Sequence, residues 1–134
     1  MSASAIRGAL QTALAGLSPS LSTAWENVAF TPVNGVPYQK TFLLFAKPDN
    51  SEYGPNYQEQ GIFQITLMYP VSTGTSAAET RAELLRQLFK RGASFTSDGI
   101  NVIVDKTPEI VGGTRDGDRW AVPVKVQWHA QVSI

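Results

Sequence analysis

Any chemistry in this chain would be expected to start at its one histidine, His129, because imidazole is the only side chain whose ordinary pKa lies close to neutrality. It stands without the usual company. There is no second histidine and no cysteine, so a transition-metal site would have to be built mainly from carboxylates. The same absence removes thiolate nucleophiles, disulfides and cysteine-bearing zinc sites together. Asp116-Gly117-Asp118 has the opening of a calcium loop, but residues 120–128 hold no carboxylate to complete it, and turn chemistry accounts for the triplet. Gly112-Gly113 before Thr114-Arg115 lacks the Gly-Lys-Ser/Thr of a phosphate loop, and no helical pattern starts there to lend its dipole. No serine sits in Gly-x-Ser-x-Gly. Glu52, Glu59, Asp105 and Glu109 could in principle meet as the paired carboxylates of a glycosidase, yet each stands in or beside a loop or strand end, where a solvated carboxylate is the ordinary state. The inventory points away from an enzyme, and no cofactor or metal is expected.

Composition narrows the partners. The 134 residues suit one domain, and the hydrophobic share of 43% with a charged share of 16% is that of a folded globule. Eleven basic residues balance eleven acidic ones, so no global field exists to hold a polyanion. Arg86, Lys90 and Arg91 lie close together but read as solvated cations near a helix C-terminus, where the helix dipole favours them. A cleaved signal peptide is not expected, because Arg7 and Gln11 interrupt the apolar N-terminal residues and no basic stretch precedes them. No apolar run approaches the length needed to cross a bilayer.

The elements that would position these residues follow from periodicity. Ile6, Leu10, Leu14 and Leu17 fall on one stripe of a helix over about 4–17, ended by Ser18-Pro19. Residues 20–37 are expected to be irregular, with Asn34-Gly35 as a turn and Trp25, Val28 and Phe30 pinning the segment to the core, an exposed aromatic binding patch being the alternative. A strand is predicted over 38–46, and the continuous run Thr41-Phe42-Leu43-Leu44-Phe45 predicts that it is central or covered on both sides. Residues 47–58, carrying Tyr53 and Tyr57, form a long polar loop and the first candidate for a partner-binding arm.

A second strand over 59–69 has one greasier face, with Phe63, Ile65, Leu67 and Tyr69 in phase. The clearest helix is expected over 77–90, opened by a Ser76–Glu79 capping box and closed by Arg91-Gly92. A short strand over 93–96, a turn at Ser97-Asp98-Gly99 and a partner strand over 100–105 make a hairpin. The last strand, 119–132, alternates strictly from Trp120 to Val132, and Pro123 among its wet-face residues predicts an edge or a bulge there. The fold class is therefore α+β: a mixed, mainly antiparallel β-sheet with two α-helices packed on one face.

Several of these residues together resemble the phage tail terminator-like family. Trp25-Glu26-Asn27-Val28 with Phe30 and Pro32, then Pro37-Tyr38, look like the family's opening. Gly61-Ile62-Phe63-Gln64-Ile65 leading to Tyr69-Pro70 and Gly74, and Leu88-Phe89-Lys90-Arg91-Gly92 at a helix end, are similar to its middle. Asp116-Gly117 with Trp120, Pro123-Val124 and Trp128 resemble its last strand. The likeness spans most of the chain, whereas residues 47–58 and 129–134 match nothing in it.

The resemblance implies a virion component assembled in the host bacterial cytoplasm. It implies a ring, usually of six subunits, at the head-proximal end of the tail tube. There the ring would stop polymerisation and meet head-completion or neck proteins, with DNA only passing through it. A monomer in isolation is compatible, the tube end then templating the ring. Each subunit of such a ring presents different patches to its two neighbours. Candidates for those patches are Tyr53 and Tyr57 in the loop, and Pro123 and Lys125 on the last strand. Two other readings stay open: a different connector protein of similar plan, and a small-ligand module walled by Trp25, Tyr53, Tyr57 and Trp128.

Overall fold

A computed structural model describes residues 2–50 and 54–133 of the chain. The elements run α1 (Ser2–Ala15), β1 (Ser22–Ala24), β2 (Tyr38–Phe45), β3 (Asn56–Pro70), α2 (Ser76–Leu88), β4 (Ser94–Ser97), β5 (Ile100–Val104), β6 (Glu109–Ile110), β7 (Thr114–Asp116) and β8 (Arg119–Ser133). They form one eight-stranded sheet in the order β1-β2-β3-β8-β5-β4, with β6 and β7 also paired to β8. Its frame is the antiparallel pair β3 and β8, joined from Asn56–Ser133 to Pro70–Arg119. The short β1 runs parallel to β2, while the other pairings are antiparallel. This is the expected α+β plan.

Parity along the two long strands decides what is inside. Phe63, Ile65 and Leu67 of β3 lie opposite Val126, Val124 and Val122 of β8, and all six are buried. The helices cover this face. Ile6, Leu10 and Leu14 of α1 and Ala78, Ala82 and Leu85 of α2 are buried in the same cluster, as is Phe89 just past α2. Burying each large apolar side chain is worth about 1.5–3 kcal/mol, so the helices are held by this stripe far more than by their propensity. Leu10, Leu14, Leu85, Phe89 and Val124 are thus inside, while Trp120 is half-buried.

Several expectations are corrected, among them the core role of Val28, which is 60% exposed, and the irregularity of residues 20–37, where β1 forms. The continuous apolar run of β2 is not covered on both sides: Phe42 and Leu44 face solvent, 40% and 53% exposed, because both helices pack on the opposite face. Nor is Pro123 at an edge, since β8 has β3 along one side and β7, β6 and β5 in turn along the other. The interruption lies in the neighbouring segment instead. Residues 111–113 separate β6 from β7 opposite Pro123, and the Val111 amide donates to the Pro123 carbonyl at 2.9 Å. A strand residue turns its N and O to the same side, so the proline's missing donor falls at this gap and costs the β3–β8 ladder nothing.

The capping box is another. Ser76 is the first helical residue of α2, and the N-cap Thr75 (φ −108°, ψ −12°) makes no side-chain cap. Its backbone is not in the extended region that lets a cap side chain reach the helix amides. Gly92, at φ 85°, does not cap the helix either, since its amide donates to the Val104 carbonyl at 2.9 Å and turns the chain into β4.

Candidate functional site

The uncovered face of the sheet is built by the positions that alternate with the core. Gln58, Gln60, Ile62, Gln64, Thr66 and Met68 of β3 stand opposite Gln131, His129, Gln127, Lys125, Pro123 and Ala121 of β8, and the face is open toward the Gln58 end, while Thr66, Met68 and Ala121 at the other end are buried. No helix lies over them. Side-chain amides link the strands: Gln131 donates to Gln58 at 3.1 Å, and Gln58 to Gln60 at 2.9 Å. Gln60 in turn donates to the Lys47 carbonyl at 3.1 Å. Beside this polar field, β2 contributes an apolar strip of Phe42 and Leu44, next to Ile62.

His129 is placed on this face, and its Nδ1 contacts the Asp105 carboxylate. Among the described residues, no serine or threonine hydroxyl hydrogen-bonds the imidazole, so the pair has no nucleophile of the kind a triad requires among them. Among the described residues, no three His, Cys, Asp or Glu side chains come close enough to hold a metal ion. Glu59 lies within β3 and Glu109 in β6, so the proposed carboxylate group is spread along the sheet; Glu52 lies outside the described residues. Asp116 ends β7 and Asp118 precedes β8, with Gly117 at φ 62° between them, which makes the triplet a tight turn.

The interface candidates separate. Lys125 and Pro123 are half-buried on the uncovered face, Lys125 opposite Glu109 of β6. Tyr57 is not in a loop: β3 begins at Asn56, and Tyr57 packs against the core cluster. Asp49 and Gln58 also bridge through paired backbone bonds of 2.9 and 2.8 Å, which shortens the supposed arm. Tyr53 lies outside the described residues. Of the pocket walls weighed above, Trp128 is wholly buried against Gly61, where a Cβ would meet the Leu44 carbonyl and the indole ring. The described surface clefts, beside α2 and along α1, have other linings.

Three polar anchors carry no signal in the sequence. The guanidinium of Arg119, almost fully buried, donates to the carbonyls of Val36 and, at 2.7 Å, Val33, and lies over the Tyr38 ring at 5.1 Å. It ties the 33–36 turn to the end of the sheet. Arg81 of α2 is likewise buried and donates to the Pro19 carbonyl. Burial lowers its pKa and raises that of Tyr69 nearby. A third anchor, Glu26, accepts from Arg7 at 2.8 Å and from the Leu43 amide at 2.9 Å. The bond from Arg7, then that from Leu43, holds its carboxyl below the usual range.

A sheet with one covered face, one polar uncovered face and no reactive constellation among its described residues defines a protein of surfaces rather than of a pocket. The chain belongs to the phage tail terminator family, which it matches over residues 5–128. It is thus a structural component of phage tail assembly. Nine chains of known structure match it. One of them, whose description states no function, aligns with a TM-score of 0.76 at 25% identity over 96% of this chain and 95% of its own. No protein of curated function matches. No described helix is long and apolar enough to cross a membrane.

Proposed function

We propose that the protein caps the tail tube as a ring of identical subunits, ends tube polymerisation and offers its other side to the head-completion proteins. The observation that carries this reading is the family match across residues 5–128. The geometry supports it in kind: a ring subunit needs two unlike lateral patches, and this sheet leaves one face and part of the β2 edge uncovered. Pro123 and Lys125 belong to that face and are interface positions in this reading. The protein has no catalytic site, takes no cofactor, and lets DNA pass without holding it, in keeping with its zero net charge. It acts in the virion tail after assembly in the host cytoplasm.

The test is tube growth. Purified protein added to polymerising tube subunits of the same phage is expected to bind tube ends and halt elongation well below stoichiometric ratio. Unchanged growth with excess folded protein would overturn the capping role and leave a connector elsewhere in the neck as the better reading.

A further inference from the structure

The outer edge of β2 carries no paired strand from Thr41 to Phe45 among the described residues, because β1 ends opposite Lys40. The direction of its backbone groups is fixed by two bonds. The Ala46 amide donates inward to the Gln60 carbonyl at 2.8 Å, so even-numbered residues turn toward β3. The Leu43 amide points the other way, to the Glu26 carboxylate at 2.9 Å, so odd-numbered residues turn outward. Such an edge is a template for another strand. Its side chains make it a template for itself.

Two copies of the 41–45 stretch laid antiparallel overlap completely in one register only, with Leu43 facing Leu43 across a two-fold axis. In that register Phe42 of each copy stands opposite Leu44 of the other on the uncovered face, and Thr41 stands opposite Phe45 on the other face. Phe42, Leu44 and Phe45 are 40%, 53% and 41% exposed in the single chain, so the pairing would cover apolar surface now in water. Because odd residues turn outward, Leu43 facing Leu43 is the kind of pair that exchanges both its backbone bonds. It needs the Leu43 amide of each copy, and that is the group Glu26 occupies.

We infer that Glu26, anchored by Arg7 of α1, is an edge guard that stops two subunits from joining through their β2 edges. The carboxylate accepts from both the Leu43 amide and the Arg7 guanidinium, 2.8 Å away, and charged acceptors make the stronger class of hydrogen bond. An incoming strand must expel it and leave Arg7 without its partner. A two-fold contact is isologous and closes at two copies, so it would compete with any ring. The benefit to ring assembly rests on the capping reading above; the guard itself does not.

Two measurements test it. In sedimentation equilibrium, Glu26→Ala is expected to add an association step that doubles the wild-type mass, with self-association tightened roughly tenfold or more. Adding Leu44→Lys to Glu26→Ala should abolish that step. In the wild type, amide hydrogen exchange should be slower at Leu43 than at Phe45, whose amide points out of the same edge unguarded. Glu26→Ala with native circular dichroism and an unchanged mass at all concentrations would overturn the inference. So would a Leu43 amide that exchanges as fast as that of Phe45, which decides the matter even if the variant fails to fold. Failure of tube capping with a slow Leu43 amide would count against the ring reading alone.

Discussion

The two faces of the β3–β8 pair share one backbone ladder and differ only in parity, yet they have almost nothing else in common. On one face Phe63, Ile65 and Leu67 meet Val126, Val124 and Val122 under two helices, none more than 4% exposed. On the other, Gln58, Gln60 and Gln64 meet Gln131, His129 and Lys125, half-buried apart from the exposed Gln131, with side-chain amide bonds linking Gln131, Gln58 and Gln60. A glutamine pair in water gains little over its hydration, whereas a buried phenylalanine gains its whole transfer free energy. Stability therefore resides on the covered face. The uncovered face is left free to carry whatever a partner requires.

The sharpest break of this comparison is Phe89→Ala. Phe89 is fully buried and meets Phe63 and Phe95 edge to face, with centroids 5.9 and 5.4 Å away. Its loss is expected to cost about 3–5 kcal/mol by combining lost transfer energy with a cavity that the three-ring cluster cannot close. A urea titration reads the effect directly, and a loss below about 1 kcal/mol would mean that the covered face does not hold the fold.

That face was the legible part of the molecule. Period-two alternation from Trp120 to Val132 and the stripes Ile6-Leu10-Leu14 and Ala78-Ala82-Leu85 are local patterns that burial writes directly into sequence. The β4–β5 hairpin was legible for the same reason, its Asp98-Gly99 turn taking φ 50° and 77° as the dipeptide leads one to expect. What escaped was set by distant partners. The strands β1, β6 and β7 have two or three residues each, too few to show a period, and exist because a long neighbour offers them a ladder. An apolar run such as Thr41–Phe45 shows that its residues are apolar but not which face the helices take. The anchors Arg119 and Glu26 bond to groups 83 and 17 positions away, and no spacing rule connects such pairs. In the candidate surface, the residue types were visible while their grouping was not.

Arg119 marks where the comparison itself fails. It shares the parity of the uncovered face but is buried, because the 33–36 turn folds over it and receives its two hydrogen bonds. Hydrogen bonds from a charged donor are worth about 1.5–3 kcal/mol, and the two here share one guanidinium. Arg119→Ala is expected to cost about 2–3 kcal/mol and to release the turn. Limited proteolysis should then cut within residues 31–37 much faster than in the wild type. Unaltered cleavage with native stability would show that the turn is held by Phe30 and Tyr38, whose rings lie 5.1 Å apart, rather than by the arginine.

The smallest effect is the most informative about the uncovered face. Gln58 joins the amide chain at its centre, accepting from Gln131 and donating to Gln60, so Gln58→Ala removes two side-chain hydrogen bonds at once. Both bonds lie where water can replace them, and the backbone bridge to Asp49 is untouched by the change. The net stability change is therefore expected to stay within about 0.5 kcal/mol, even though both amide bonds disappear. The matched substitution on the other face, Phe63→Ala, is expected to cost several-fold more, and the ratio of the two is a direct measure of how unevenly the sheet divides its energy. A Gln58→Ala loss above about 1.5 kcal/mol would require these amides to be desolvated in the folded chain. The glutamine face would then be an interior surface, already covered by something, and the division of labour between the two faces would fall with it.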